Sequence, residues 1–209
     1  MYRNRDSFTK EEFKLRVAYG EKILPAYYEQ SVPTWNKIAV TERTIKNIEI
    51  QGVPIKGNLD KIEFEGKNVT IVDYKTGKPD PKGKVIAPNE KHPNGSDYWL
   101  QMIFYAILLK SQKTTASSGF PSASSTISST FYFVNQTSEK TYVKAEVTPD
   151  TENIQFVEDL IQTTYSKIKS LQFTPGCGKP TCEWCKYVNS GVEVSLVEVN
   201  EEDDESSEI

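Results

Sequence analysis

Two short hydrophobic segments constrain this chain more than anything else in it: Gly57-Asn58-Leu59-Asp60-Lys61-Ile62 and Val72-Asp73-Tyr74-Lys75-Thr76-Gly77. The stretch Asn68 to Tyr74 is rich in β-branched residues and is ended by the breaker Gly77, so it reads as a buried strand. Successive side chains of a strand point to opposite faces, which puts Ile71, Asp73 and Lys75 on one face and Val72 and Tyr74 on the other. Glu65-Gly66-Lys67-Asn68 has the composition of a hairpin turn, so Val53–Glu63 is expected to run antiparallel to that strand and to set Asp60 beside Asp73. Carboxylates and ammonium groups are costly to bury without partners. A divalent metal between Asp60 and Asp73 would give both carboxylates a partner, and Lys75 would then face the same site. The plainer alternatives are a surface ion pair between Asp73 and Lys75 on an edge strand, and a strand-end role for Asp60.

The remaining elements follow from periodicity. Phe13, Val17, Leu24 and Tyr28 stand at helical spacing between Thr9 and Gln30, with Pro25 expected to break that helix. Extended segments are expected around Ile38–Ile45 and Ile48–Ile50. Residues 77 to 96, rich in Gly, Pro and Lys, read as a long exposed loop that contains the sole histidine, His92, as a surface residue. Asp97 to Lys110 is a strong helix whose apolar side is Trp99, Met102, Ile103, Ala106, Ile107 and Leu108; Gln101 and Tyr105 lie four apart on one face. Residues 111–130 hold eight Ser and four Thr and read as a flexible insertion. Strands are expected at Phe131–Asn135 and Thr141–Val147. A final helix is expected to start at Thr148-Pro149, with Thr148 as N-cap, and to bury Ile154, Val157, Leu160, Ile161, Ile168 and Leu171. Helix, strands, helix, two strands, helix is an α/β order: a mixed central sheet flanked by helices.

A chain of 209 residues suits one domain with a real core. It contains no apolar run of transmembrane length, and no signal-like region follows Met1, so a cytoplasmic protein without a membrane partner is expected. The net charge of −4 is misleading about partners. Seven of the last twelve residues are acidic, as in a solvated tail; without them, 22 acidic residues face 25 basic ones. Such a body permits phosphate contacts.

Taken in order and at these spacings, Glu42, Gly57-x-x-Asp60, Asp73-x-Lys75-Thr76-Gly77 and Gln101-x-x-x-Tyr105 resemble the RecB-like branch of the PD-(D/E)XK nuclease superfamily. The resemblance implies a restriction-endonuclease-like α/β fold over residues 1–190, interrupted by the 111–130 insertion, and an acidic tail at 191–209. It implies a metal-dependent deoxyribonuclease of DNA repair or recombination, exonucleolytic rather than endonucleolytic. DNA is the implied partner, together with a helicase domain in cis or in trans. Asp60, Asp73 and the backbone carbonyl of Tyr74 match the ligands for Mg²⁺ or Mn²⁺, and Glu42 matches an acidic residue near the metal. Glu42 could equally pair with Arg43 or Lys46 on a solvated face. Lys75 matches the residue that positions the attacking water and stabilises charge on the scissile phosphate. Gln101, Tyr105 and Lys78 match site-organising and DNA-contacting positions.

Cys177, Cys182 and Cys185, in the 176–186 segment, have metal-motif spacing. Some members of the family hold a 4Fe–4S cluster with three C-terminal cysteines and a fourth upstream, at a spacing that differs from this one. A cluster or a zinc ion, each one ligand short, and a reduced structural remnant with Trp184 packed against the core are the candidate readings. Neither an upstream cysteine nor the Gly-x-x-x-His motif of many relatives is present, which fits a domain excised from a longer protein. Two other readings stand beside the nuclease: a catalytically idle DNA-binding or scaffolding module of the same fold, and a cysteine-based zinc interaction domain.

Overall fold

The computed structural model describes residues 7–112, 125–172, 176–177 and 181–189. The chain divides into two compact units, Met1–Tyr165 and Ser166–Ile209. The first holds a five-stranded sheet in the order β1-β2-β3-β4-β5. Its strands are β1 (Ala39–Ile50), β2 (Val53–Glu65), β3 (Asn68–Lys75), β4 (Thr126–Phe133) and β5 (Lys144–Val147). β1, β2 and β3 form an antiparallel meander, β4 lies parallel to β3, and β5 closes the far edge antiparallel to β4. A mixed sheet flanked by helices is the architecture the sequence implies.

The parallel β3–β4 pair needs a crossover, and α3 (Asp97–Lys110) lies between the two strands in the chain. Ser96 caps it: its hydroxyl accepts from the backbone N–H of Trp99, in the role that short polar side chains fill at helix starts. Trp99, Met102, Ile103, Ala106, Ile107, Leu108 and Leu109 of this helix are all buried. At about 1.5–3 kcal/mol for each large apolar side chain, α3 is a principal source of stability. Its residues join Ile45, Leu59, Ile62, Val69 and Ile71 of β1–β3 in one core cluster and Phe131 and Phe133 of β4 in another. α4 (Thr151–Lys169) contributes Val157 and Ile154 to a third cluster around Trp99 and Ile103.

Several local expectations need correction. α1 (Lys10–Ser31) runs through Pro25 without a break. Proline removes one donor to the carbonyl four residues back. Here that residue, Glu21, is exposed, so water can replace the lost bond. The inward face of α1 is Phe13, Val17, Ile23 and Tyr27, while Leu24 and Tyr28 are exposed. The two segments expected before residue 51 are one strand, β1, with a register shift between Ile45 and Ile48. The loop 77–96 contains a one-turn helix, α2 (Pro81–Lys84). β4 begins at Thr126, inside the expected insertion, because Ser129 and Thr130 are buried beside β3 and the Ser129 hydroxyl donates to the Met102 carbonyl. Residues 113–124 of that insertion, and the tail 191–209, lie outside the described residues. α4 starts at Thr151 rather than Pro149, and Asp150 instead of Thr148 supplies the cap by accepting from the Asn153 N–H at 2.7 Å. Ile168 and Leu171 are exposed rather than buried.

Gly95 ties the 77–96 loop to α3. Its φ is +74°, and a Cβ there would lie 2.8 Å from the Trp99 ring and 3.0 Å from the Ile86 carbonyl. Gly95→Ala is therefore expected to lower stability by about 1–3 kcal/mol, from positive-φ strain and overpacking. Urea unfolding of the two proteins measures this, and a change under about 0.5 kcal/mol would show that the loop yields.

Candidate active site

Asp73 and Lys75 leave the C-terminal end of β3 on one face, beside the parallel strand β4. The crevice outside the carboxyl ends of strands is where open α/β sheets generally bind ligands. α3 crosses that face and brings Gln101 and Tyr105 down onto the two charges. Lys75 Nζ lies 2.8 Å from Asp73 Oδ2 and donates to Gln101 Oε1 at 2.7 Å. Gln101 Nε2 donates to Asp73 Oδ1 at 3.3 Å and to the Tyr105 hydroxyl at 2.6 Å. The Tyr105 hydroxyl in turn donates to Asp73 Oδ1 at 3.2 Å. The spacing of 101 and 105 by one helical turn is what lets both reach the same carboxylate.

Asp60 enters from β2. Its Oδ2 accepts the Tyr74 backbone N–H at 3.0 Å, so Asp60 is held against the backbone of the strand that carries Asp73. Register pairs Lys61 with Val72, and the next step along puts Asp60 across from Asp73. Glu42 sits on β1 between the pairs Thr41–Lys61 and Arg43–Leu59, hence across from Asp60. It is exposed, and its φ of +50° is left-handed, which is sparse for a non-glycine residue and characteristic of functional or strained positions. Glu42, Asp60 and Tyr74 line one cavity of about 970 Å³, which Tyr28 and Trp35 also border. Tyr74 points away from Asp73, packing edge-on to Tyr27 at 6.2 Å.

The electrostatics favour a cation. Burial pushes the Asp73 carboxyl above its ordinary value; Lys75 pulls it back by hydrogen bond and charge, and the Asp60 carboxylate pushes it up again. The net direction is upward although an ammonium is in contact. Burial likewise pushes the Tyr105 phenol up to about 12, so it remains a neutral donor. Two carboxylates whose charges oppose each other in a partly dry place, with hard oxygen donors only, fit Mg²⁺ or Mn²⁺.

Lys78 is exposed in the loop after β3 and is not part of the cluster. Sequence reasoning did not single out Tyr98 and Phe131, whose rings lie 5.0 and 4.4 Å from Lys75 Nζ. The only signal for them was aromatic residues on apolar faces, which core packing explains equally well.

In the second unit, the three sulfurs of Cys177, Cys182 and Cys185 lie within 4.8 Å of one another, with Cys177 and Cys185 at 3.5 Å. Hydrogen bonds, the largest from the Cys185 backbone N–H and then from the Cys177 thiol, lower Cys182 to about 7. Among the described residues this group has three members.

At the end of β3 the crossover helix α3 thus holds one aspartate and one lysine, with a second aspartate fastened to the neighbouring backbone. The chain belongs to the PD-(D/E)XK nuclease superfamily, which it matches over residues 3–190. No curated protein matches it. The crystal structure of SSO0001 is similar at 18% identity, over 72% of this chain and 56% of that one, with a TM-score of 0.32. The chain thus spans little more than half the length of that structure. No described helix is long and apolar enough to cross a membrane.

Proposed function

We propose that this is a metal-dependent deoxyribonuclease domain of the RecB-like branch, acting exonucleolytically in DNA repair or recombination beside a helicase. The domain occupies residues 1–190. The observation that carries the reading is the closed hydrogen-bonded set Asp73–Lys75–Gln101–Tyr105, with Asp60 fastened to the Tyr74 N–H next to it.

Asp60, Asp73 and the Tyr74 carbonyl would hold the divalent ion, with Glu42 lining the cavity that Asp60 and Tyr74 border. Bound there, the ion offsets phosphate charge and lowers the pKa of a coordinated water. Lys75 has three N–H donors, of which two are given to Asp73 and Gln101. The third is left for a non-bridging oxygen of the scissile phosphate, where charge grows as the reaction proceeds. Gln101 fixes both partners at once: its carbonyl aims Lys75 and its amide holds Asp73 in one rotamer. The neutral Tyr105 phenol does the same for Oδ1. In the reaction the water oxygen forms one P–O bond, one ester P–O bond breaks, and the departing alkoxide takes up a proton. The three thiols of Cys177, Cys182 and Cys185 offer three of the four ligands that zinc or a 4Fe–4S cluster takes.

The test is incubation of end-labelled single-stranded and linear duplex DNA with the protein in Mg²⁺ or Mn²⁺, and again in EDTA. Metal-dependent shortening from an end is expected. Folded protein that binds DNA and leaves it intact would instead identify an idle module.

A further inference from the structure

Lys84 is the half-buried lysine of the 77–96 loop; Lys78, Lys82 and Lys91 are exposed. Its Nζ lies 5.4 Å from the Tyr98 ring centroid and 5.8 Å from that of Phe133. Tyr98 is the same ring that Lys75 Nζ approaches to 5.0 Å, so two ammonium groups share one aromatic side chain. The Lys84 ammonium also sits close over Gly77, where a Cβ would meet it at 3.2 Å. Gly77 is two residues beyond Lys75, and any larger residue there would crowd the position.

This placement is built into the loop. The Lys84 carbonyl accepts from the Ser96 hydroxyl at 2.6 Å, and that hydroxyl also accepts from the Ile86 N–H at 2.9 Å. The Ser96 N–H donates to the Ile86 carbonyl at 2.8 Å. Ser96 is the N-cap of α3, so Lys84 is fastened to the helix that carries Tyr98, Gln101 and Tyr105. Lys61, Lys75, Lys144 and Lys186 each have a carboxylate within ion-pair distance, whereas among the described residues Lys84 has only rings. A ring face attracts a cation without neutralising it. A partly desolvated ammonium held in place without a counter-ion is a site for an anion.

Resting on the nuclease reading above, we infer that Lys84 is a second phosphate-binding cation, which takes the phosphate adjoining the scissile one on the same strand. Lys75 is shared with Asp73; Lys84 is not, and serves to fix the register of the strand on the site. Its loss therefore weakens binding and raises KM while leaving kcat nearly unchanged, since the contact is the same in ground and transition states.

The test measures binding of end-labelled oligonucleotides, single-stranded and duplex, to the full chain in EDTA across a salt series. Lys84→Met keeps the apolar stem over the rings, Lys84→Arg keeps the charge, and Lys82→Met is the exposed neighbour. Lys84→Met is expected to bind about 10-fold more weakly. Its log–log salt slope on single strands is expected to be shallower by about 0.7, the value of one phosphate contact. Lys84→Arg and Lys82→Met are expected to keep the wild-type slope. Lys84→Gln, read in the same way, is the neutral variant to use if Lys84→Met loses its fold. An unchanged slope and affinity in the neutral variant overturns the inference, and the nuclease reading survives if the wild type still cleaves. A lost slope in a protein that cleaves nothing overturns the nuclease reading and leaves the phosphate site. A wild type that binds no oligonucleotide overturns both.

Discussion

Lys75→Ala is expected to reduce DNA cleavage by about 10²–10³-fold, the range seen when one preorganised donor to a developing anion is removed. The protein is expected to stay folded, because α3 and the sheet bury their apolar faces without the lysine. Stability will still move, and its pH dependence identifies the cause. Burial and Asp60 already hold the Asp73 carboxyl above its ordinary value, and Lys75 is the group pulling it down. Without Lys75 it rises further. A carboxyl with a folded pKa above its unfolded one binds more protons in the native state, so stability falls as pH rises through that window. The deficit of Lys75→Ala relative to wild type should therefore be small near pH 4 and larger near pH 8. Cleavage assays at saturating Mg²⁺ and thermal midpoints at the two pH values measure both effects. A variant that retains more than about a tenth of wild-type cleavage would remove Lys75 from the chemistry.

The parts of this arrangement that could be read from the sequence are the local ones. The β2–β3 hairpin is set by its turn residues and by β-branched neighbours. α3 matches its expected limits because its apolar side is dense and its first turn is capped. Gln101 and Tyr105 were legible as a pair by their spacing, and Asp73 and Lys75 by alternation. What could not be read is whatever depends on elements distant in the chain. β4 begins among serines and threonines that resemble a linker, and they become strand residues only because β3 offers a parallel edge and Met102 accepts the Ser129 hydroxyl. Lys84 carries no periodic signal, and its position depends on Ser96 and two rings from different elements. Glu42 was visible as an acidic residue, but its left-handed backbone across from Asp60 was not. Pro25 was read by its intrinsic preference, yet α1 continues through it, the residue four back, Glu21, being exposed.

Asp73→Asn is expected to separate stability from function. The substituted side-chain amide is a neutral near-isostere of a carboxylate whose charged form burial disfavours. At neutral pH the wild-type carboxylate is a cost to the fold, even with Lys75 in contact. The metal-free variant should thus be at least as stable as metal-free wild type at pH 7 to 8. The difference should fade as pH falls below the ordinary carboxylate value, where the wild-type group is protonated in both folded and unfolded states. Mg²⁺ should invert the order. A ligand at 100 times its Kd stabilises the native state by about 2.7 kcal/mol, and only the wild type retains both carboxylates to bind it. Cleavage should fall on the order of 10³-fold, since bound metal is worth several kcal/mol and each 1.4 kcal/mol is tenfold. Thermal midpoints with and without Mg²⁺, beside cleavage rates, decide the matter. An Asp73→Asn protein that Mg²⁺ stabilises as much as wild type would place the metal elsewhere. One that is less stable without metal would show that the Asp73–Lys75 pair holds the fold together rather than storing the cost of a functional site.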